Sequence, residues 1–229
     1  VGVHWGNAAA GRTLKVVSLS FTGAPSAQCE PQHAPSHPGL LHRPALLLGA
    51  ADRTSPILRG AHVRKLFLCA SLGMPDPNLV AARQQEAGDL NALSNRDRVT
   101  VLTSAAACTG CQGLINPLGF PFEAFDQAGM PRTLEQRFDA NGMPTTTSAI
   151  DTSVVNPRLD FVGGPPSLAT SKDLVNALAQ RQQARACFTQ RAFEYLRRAP
   201  LDVAKDGCTL AAAEAKVKTG SLRDVLAEL

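Results

Sequence analysis

Proline and glycine interrupt the chain at short intervals before its C-terminal third. The 229 residues include 18 glycines and 16 prolines, and proline removes a backbone donor that helices and sheet ladders need. Residues 23–44 are so rich in Pro, His, Ser and Gly that we predict a loop or linker there. The composition therefore predicts a globular chain with much irregular structure.

Helical patterns are clearest after residue 170. Ser171 can cap a helix whose first turn holds Asp173, and apolar stripes predict further helices at about 184–198, 208–219 and 221–229. The predicted buried face of the 184–198 helix consists of Phe188, Ala192 and Tyr195 or Leu196. Together these segments predict a small helical bundle.

Shorter elements are predicted upstream. Residues 56–72 favour a helix that begins at Pro56, and a second helix beginning near Ser94 would place Cys108 at its C-terminal end. Residues 14–21 favour a strand, and Asn141-Gly142 predicts a hairpin turn. We expect residues 151–170 to be irregular.

Cys108 and Cys111 form a C-x-x-C motif in the segment "ACTGCQGLINPLGFPFEAFDQAG". A histidine after the second cysteine would complete the attachment motif of a c-type haem, but Gln112 stands there. The prolines and glycine at 117–121 predict a turn. The nearby Phe120, Phe122 and Phe125 predict a core plug.

The order of segments resembles a known family. "GLLHRPALLL" and "DRTSPILRGAHVRKLFLC" precede the C-x-x-C motif, "NPLGFPFEAFDQAG" follows it, and "ACFTQRAFEYLRRAP" and "CTLAAAEAKVKTGSLRDVL" lie near the end. Over roughly residues 39–229 this order resembles the C-terminal half of the planctomycete-type cytochrome-like proteins, which carry PSCyt and PSD domains and also occur in myxobacteria.

The resemblance implies an exported, mostly helical protein with a C-x-x-C-H haem segment, for which electron transfer is inferred from the motif. This chain departs from the pattern at Gln112 in place of histidine, at Asn116 in place of aspartate, and at Leu102 in place of a further histidine. Residues that match the rest of the segment are Pro117, Gly119, Phe120, Glu123, Phe125, Asp126 and Gly129.

We therefore predict a mainly α fold with three parts: an N-terminal strand and Pro/His-rich linker (1–38), a cytochrome-like C-x-x-C domain with the hairpin (39–150), and a C-terminal helical domain (151–229). The C-x-x-C domain is expected to be a cytochrome-c-like helical segment, accompanied by long irregular loops.

Two cofactor hypotheses follow. A c-type haem usually needs a proximal imidazole, and a glutamine amide is a poor iron ligand. The favoured hypothesis is therefore a haem-free chain in which Cys108 and Cys111 form a disulfide with each other or bond to other cysteines. The alternative is a covalent haem c with non-standard axial ligation by one of Met130, Met143, His33, His37, His42 or His62. Structural zinc would need a second ligand pair, which the spacing does not supply.

The other four cysteines are candidates for disulfide bonds. We favour Cys187–Cys208, because these residues bracket two predicted helices, and give second place to Cys29–Cys69. An even count of six cysteines is compatible with an oxidising compartment, so a periplasmic or extracellular location is expected.

Several function classes are disfavoured. The net charge is only +4, with no basic run interleaved with aromatics, which argues against nucleic-acid binding. No apolar run reaches the length of a membrane span. No hydrolase motif is present, and Glu123 and Asp126 are expected to brace the segment after the C-x-x-C motif rather than act as an acid pair.

The favoured function is a structural or interaction subunit of a larger assembly or of a longer parent chain. The alternative is an electron-carrying cytochrome domain.

Overall fold

The computed structural model describes residues 39–48, 53–73, 75–138, 143–160, 163–220 and 222–229, and the paired strands β1 (Trp5–Gly6) and β2 (Lys15–Val16). The helices are α1 (Pro44–Leu47), α2 (Pro56–His62), α3 (Pro77–Ala87), α4 (Asn95–Leu102), α5 (Ala106–Gly119), α6 (Ser171–Ala179), α7 (Gln182–Arg197), α8 (Val203–Thr219) and α9 (Leu222–Glu228). The remaining strands are β3 (Leu134–Phe138), β4 (Pro144–Ala149), β5 (Val154–Val155) and β6 (Ser167–Leu168). The predicted mainly α fold is confirmed.

Helix α2 begins and continues much as its sequence predicts. The Ser55 hydroxyl accepts the N–H of Leu58 at 3.3 Å, and Pro56 occupies the first turn, where its missing N–H costs no hydrogen bond. A π-helical turn, Val63–Phe67, extends the helix until Leu68. The helical prediction therefore holds over most of 56–72.

The helices around the C-x-x-C motif differ from the prediction. Helix α4 is capped by Ser94 but ends at Leu102, so the expectation that it carries Cys108 at its end is wrong. The turn predicted at 117–121 is also wrong, because α5 continues through Pro117 to Gly119 and a 3-10 turn, Phe120–Ala124, follows directly. Pro117 has no N–H to donate to the helix, and the free energy gained by burying the inner side of α5 offsets this missing hydrogen bond.

Helices α2 and α5 pack closely and run antiparallel. A β-carbon at Gly60 would overlap the carbonyl of Ile115, and one at Gly119 would overlap the carbonyl of Pro56. Two glycines at one crossing allow this close backbone approach. The buried core around the crossing includes Leu47, Val63, Leu68, Val99, Leu118, Phe122, Phe125, Leu159, Leu168, Leu174 and Leu178.

Three two-stranded sheets are described beside the helices. Strands β3 and β4 pair antiparallel from Leu134↔Ala149 to Phe138↔Pro144, which confirms the predicted hairpin, whereas its Asn141-Gly142 turn lies outside the described residues. Strands β5 and β6 form a second antiparallel pair, in a region predicted to be irregular. Of the strand predicted at 14–21, only Lys15–Val16 is described, paired with Trp5–Gly6.

Helix α6 is capped one residue earlier than predicted. The hydroxyl of Thr170 accepts the N–H of Asp173, and the Asp173 carboxylate accepts the N–H of Thr170, which is a capping box. Ser171 is thereby released for a buried hydrogen bond with Nε2 of His42, at 2.8 Å. This bond joins the C-terminal helices to the start of the described chain.

The buried face of α7 was predicted wrongly. Cys187 and Phe193 are buried, while Phe188 is 39% and Tyr195 is 83% exposed. The helix packs against α8 and, through Cys187, against the π-helical turn and the chain that follows it. An amphipathic pattern alone does not identify these contacts. Helix α8 ends before Gly220, as predicted. None of the described helices is long and apolar enough to cross a membrane.

Candidate functional site

The C-x-x-C motif lies at the N-terminal end of α5. Cys108 is half-buried, Cys111 is exposed, and both are free thiols in the structure. They are three residues apart near the start of a 14-residue helix whose N-cap, Ala105, makes no side-chain capping bond. The disulfide predicted for the haem-free state is therefore not formed here, and the thiols remain open to other bonds.

Gln112 and Asn116, at two positions where the sequence analysis expects a departure from the pattern, lie on one face of α5 because they are four residues apart. Asn116 is 7% exposed and donates from Nδ2 to the Thr103 hydroxyl, at 2.9 Å. Thr103 directly follows Leu102, so this bond brings the third departure near the other two. Oε1 of Gln112 and Oδ1 of Asn116 are buried without a hydrogen-bond partner among the described residues. Two neutral amide side chains thus occupy this face, and Leu102 at the end of α4 precedes the residue that Asn116 contacts.

A buried arginine holds the segment that follows α5. From Nη1, Arg59 donates to the carbonyls of Phe122 and Phe125, at 2.6 and 2.8 Å. From Nη2 it donates to the carbonyls of Leu47 and Asp126, at 2.7 and 2.6 Å. Burial lowers the pKa of Arg59 to about 10, and the Glu123 carboxylate opposes this shift. One guanidinium therefore satisfies four main-chain carbonyls.

Glu123 is the acidic partner of this arginine and is 2% exposed. Its Oε2 accepts from the Thr54 hydroxyl at 2.7 Å, Asn95 Nδ2 at 3.0 Å and Arg132 Nη2 at 3.2 Å, and its Oε1 lies 3.6 Å from Nη1 of Arg59. Three side chains thus donate to one oxygen of this buried carboxylate. Its arrangement fits a bracing role.

Asp126 also stabilises the segment that follows α5, by accepting backbone hydrogen bonds. Its Oδ1 accepts the N–H groups of Ala128 and Met130, each at 2.8 Å, and Gly129 follows with a positive φ of 78°. Both carboxylates of the predicted bracing pair are thus engaged by donors of the fold, although they belong to different clusters.

The candidate axial ligands are dispersed. His42 is buried against Phe122 and Phe125 and is hydrogen bonded to Ser171, while His62 is exposed on α2. The methionines Met130 and Met143 are 57% and 63% exposed. His33 and His37 lie outside the described residues. Within the described ranges no cluster of His, Cys, Asp and Glu could hold a metal ion.

The observed disulfide joins Cys69 to Cys187, with a Cα–Cα distance of 5.3 Å. The predicted Cys187–Cys208 pairing is therefore wrong: Cys208 is a free, exposed thiol on α8. Cys187 instead faces the chain that leaves the π-helical turn, where Cys69 lies. Cys29, the partner predicted for Cys69, is outside the described residues, and the bond to Cys187 excludes that pairing.

Residues 37–135 match the PSCyt3 family model. That model is described as a protein of unknown function (DUF1588). No curated protein and no solved structure matches the chain. The resemblance to PSCyt-type proteins is confirmed for these residues, which are called the PSCyt3-like segment below.

The sequence features that indicated the resemblance meet at one place in the PSCyt3-like segment. Thr54, Arg59 and Gly60 come from "TSPILRG", and Gly119 and Glu123 come from the segment after the C-x-x-C motif. These residues form the α2–α5 crossing and the ionic network beneath it. Sequence reasoning did not assign the network roles of Thr54, Arg59, Asn95 and Arg132. The only sequence evidence for the first two was their place in a family motif.

The cytochrome-like resemblance implies a c-type haem, and its fit can be tested on the residues present. The thiols of Cys108 and Cys111 are free at the attachment spacing. The residue that should hold the iron is a neutral amide, and the oxygen of that amide is buried in the protein. The thiols thus fit a haem, whereas the ligand position does not fit ordinary ligation.

Proposed function

We propose that this chain is an exported, cytochrome-like protein that lacks haem and serves as a structural or interaction subunit of a larger assembly. The name of the PSCyt3 family suggests a cytochrome-like domain.

One observation carries the proposal: within the PSCyt3-like segment, the matching motif residues are scaffold residues and the departures lie at the haem positions. Arg59 and Glu123 are buried and paired, and Gly60 and Gly119 allow a close helix crossing. Gln112 and Asn116 instead place neutral amides, whose oxygens are buried, at the positions that the resemblance assigns to histidine and aspartate. A chain that keeps the scaffold residues but not the ligand residue is expected to keep the fold of the domain, with surfaces that a partner can bind, and to lack the redox centre.

Export is supported by the Cys69–Cys187 bond. Disulfides persist mainly in the periplasm, in the endoplasmic reticulum and outside the cell, since cytosolic thiols are kept reduced. The bond between α7 and the chain that follows the π-helical turn would persist in such a compartment.

A second candidate function is a c-type cytochrome with unusual axial ligation. It is favoured by one observation, namely that Cys108 and Cys111 are both unpaired, as thioether formation requires. An exposed methionine or a histidine from elsewhere in the chain would then have to hold the iron.

The two functions are separated by expressing the chain, with a leader for export, in bacteria that carry the c-type haem attachment machinery. We expect the intact mass of the native chain to be that of the polypeptide, with no haem absorption in a pyridine haemochrome assay. The matched variant Gln112→His restores C-x-x-C-H and should gain the mass of one haem if the fold still admits it. A native chain that gains one haem would contradict the proposal and favour the cytochrome.

A further inference from the structure

An apolar groove separates the first helical turns from the C-terminal helices. Its volume is about 790 Å³, within the roughly 300–1,000 Å³ range of small-molecule sites. The main apolar residues that line it are Leu40, Leu66, Phe67, Val175, Leu178 and Phe188. Leu40 is 61%, Leu66 is 46% and Phe188 is 39% exposed. The groove lies apart from the C-x-x-C motif, none of whose residues line it.

The charged residues at the groove are all arginines. Arg43, Arg185 and Arg191 line it, and none of the described residues that line it is acidic. Arg191 is paired with Glu194 at 3.2 Å. Among the described residues Arg43 and Arg185 have no acidic partner. The groove therefore combines an apolar wall with two uncompensated positive charges.

Arg185 also has an unsatisfied donor. Its Nε is buried and has no acceptor among the described residues, and its Nη1 reaches the Ala179 carbonyl only at 3.5 Å. A buried donor without an acceptor is costly. A carboxylate is the acceptor that a guanidinium fork matches best, because its two oxygens take two parallel N–H groups.

We propose that this groove binds a long-chain carboxylate, such as a fatty acid. The hydrocarbon chain lies along the wall formed by Leu66, Leu178 and Phe188, and the carboxylate accepts from Arg185, with Arg43 adding positive charge at the rim. A wholly apolar occupant would leave Arg43 and Arg185 at the groove without a counter-charge, which is why a carboxylate is favoured over a neutral chain. The inference does not depend on whether the chain carries haem.

The probe for the test is cis-parinaric acid, a fluorescent long-chain carboxylate, and its methyl ester is the neutral control. The native chain should bind the acid saturably at one site and the ester more weakly. Arg185→Met keeps much of the side-chain length and removes the charge. It should weaken binding of the acid about tenfold or more while leaving binding of the ester nearly unchanged.

Two further variants separate recognition of the charge from packing. Phe188→Ala shortens the wall and should weaken binding of acid and ester alike, by several-fold. Arg198→Met removes an exposed charge on the same stretch of chain as α7, away from the groove lining, and should change neither. Should Arg185→Met fail to fold by circular dichroism, the exposed Arg43→Met serves in its place.

The proposal is overturned if the native chain shows no saturable binding of the acid, as when another part of the chain or a protein partner already fills the groove. It is also overturned if acid and ester bind equally and neither arginine variant weakens binding of the acid. A selective loss of acid binding in Arg185→Met, with Arg198→Met unaffected, supports it.

Discussion

Gly60 of α2 lies so close to Ile115 of α5 that no β-carbon fits between its backbone and the Ile115 carbonyl. We therefore expect Gly60→Ala to force the helices apart and lower the free energy of unfolding by about 3 kcal/mol. Urea unfolding followed by circular dichroism measures this change. Gly207 lies inside α8 with open space where a β-carbon would stand, so Gly207→Ala should instead stabilise by about 0.5–1 kcal/mol. Equal effects of the two variants would contradict the close crossing.

The four carbonyls that accept from Arg59 suggest a second prediction. Arg59→Met removes their common donor and leaves the buried Glu123 without this counter-charge. Loss of one member of a buried pair costs about 3–5 kcal/mol, so the variant should be severely destabilised in thermal unfolding. Lys205→Met, which breaks an exposed pair with Asp202, should cost about 0.5 kcal/mol or less. A mild effect at Arg59 would show that the network contributes little.

The sequence predicts elements with local start and stop signals well. Ser94, Pro56 and Gly220 mark helix ends that the structure reproduces, because capping depends on residues within a turn of one another. At Pro117 the sequence predicts a turn, whereas α5 continues through this residue. Burial of the helix in the core outweighs the local tendency of proline to end a helix. The exposure of Phe188 and Tyr195 likewise depends on which helices α7 meets, and a single helix pattern carries no such information.

The candidate site was only partly predictable. The motif at Cys108 and Cys111 and the change at Gln112 are visible in the sequence. Arg59, however, has its carbonyl acceptors up to 67 residues away, and no local pattern indicates that it is buried. The pairing of Cys69 with Cys187 spans 118 residues, and cysteine spacing could not distinguish it from a shorter loop.

That pairing leads to a third prediction. In the oxidised protein, alkylation without reduction should label Cys208, and proteolysis should release a peptide pair that joins Cys69 to Cys187. Mass spectrometry identifies both products. Cys69→Ser should lower stability by about 4–5 kcal/mol, as a loop of this length implies in the chain-entropy model, whereas Cys208→Ser should have little effect. A Cys187–Cys208 peptide pair would refute the observed connectivity.

A fourth prediction concerns acid sensitivity at the start of α6. The hydrogen bond from the Thr170 hydroxyl, followed by the N–H groups of Thr170 and Ala169, lowers the pKa of Asp173. Because the folded-state pKa lies below the unfolded value of about 3.9, the capping box contributes fully above that value. Its contribution is lost as pH falls through the folded-state pKa.

Carboxyl chemical shifts in an NMR titration should place the Asp173 midpoint below that of an unfolded reference peptide. Thr170→Val removes the hydroxyl but not the backbone N–H groups, so the midpoint should move upward part of the way. An unchanged midpoint in Thr170→Val would mean that the hydroxyl does not contribute to the shift.

The distance in sequence between Cys69 and Cys187 also sets an order of events during synthesis. Cys69 leaves the ribosome before Cys108 and Cys111, and well before its own partner. In an oxidising compartment those two thiols are the first downstream partners it meets, so a thiol–disulfide exchange step would be needed whenever a bond forms too early. In the folded chain Cys108 and Cys111 are free thiols on α5, so any early bond between one of them and Cys69 has been replaced by the bond to Cys187.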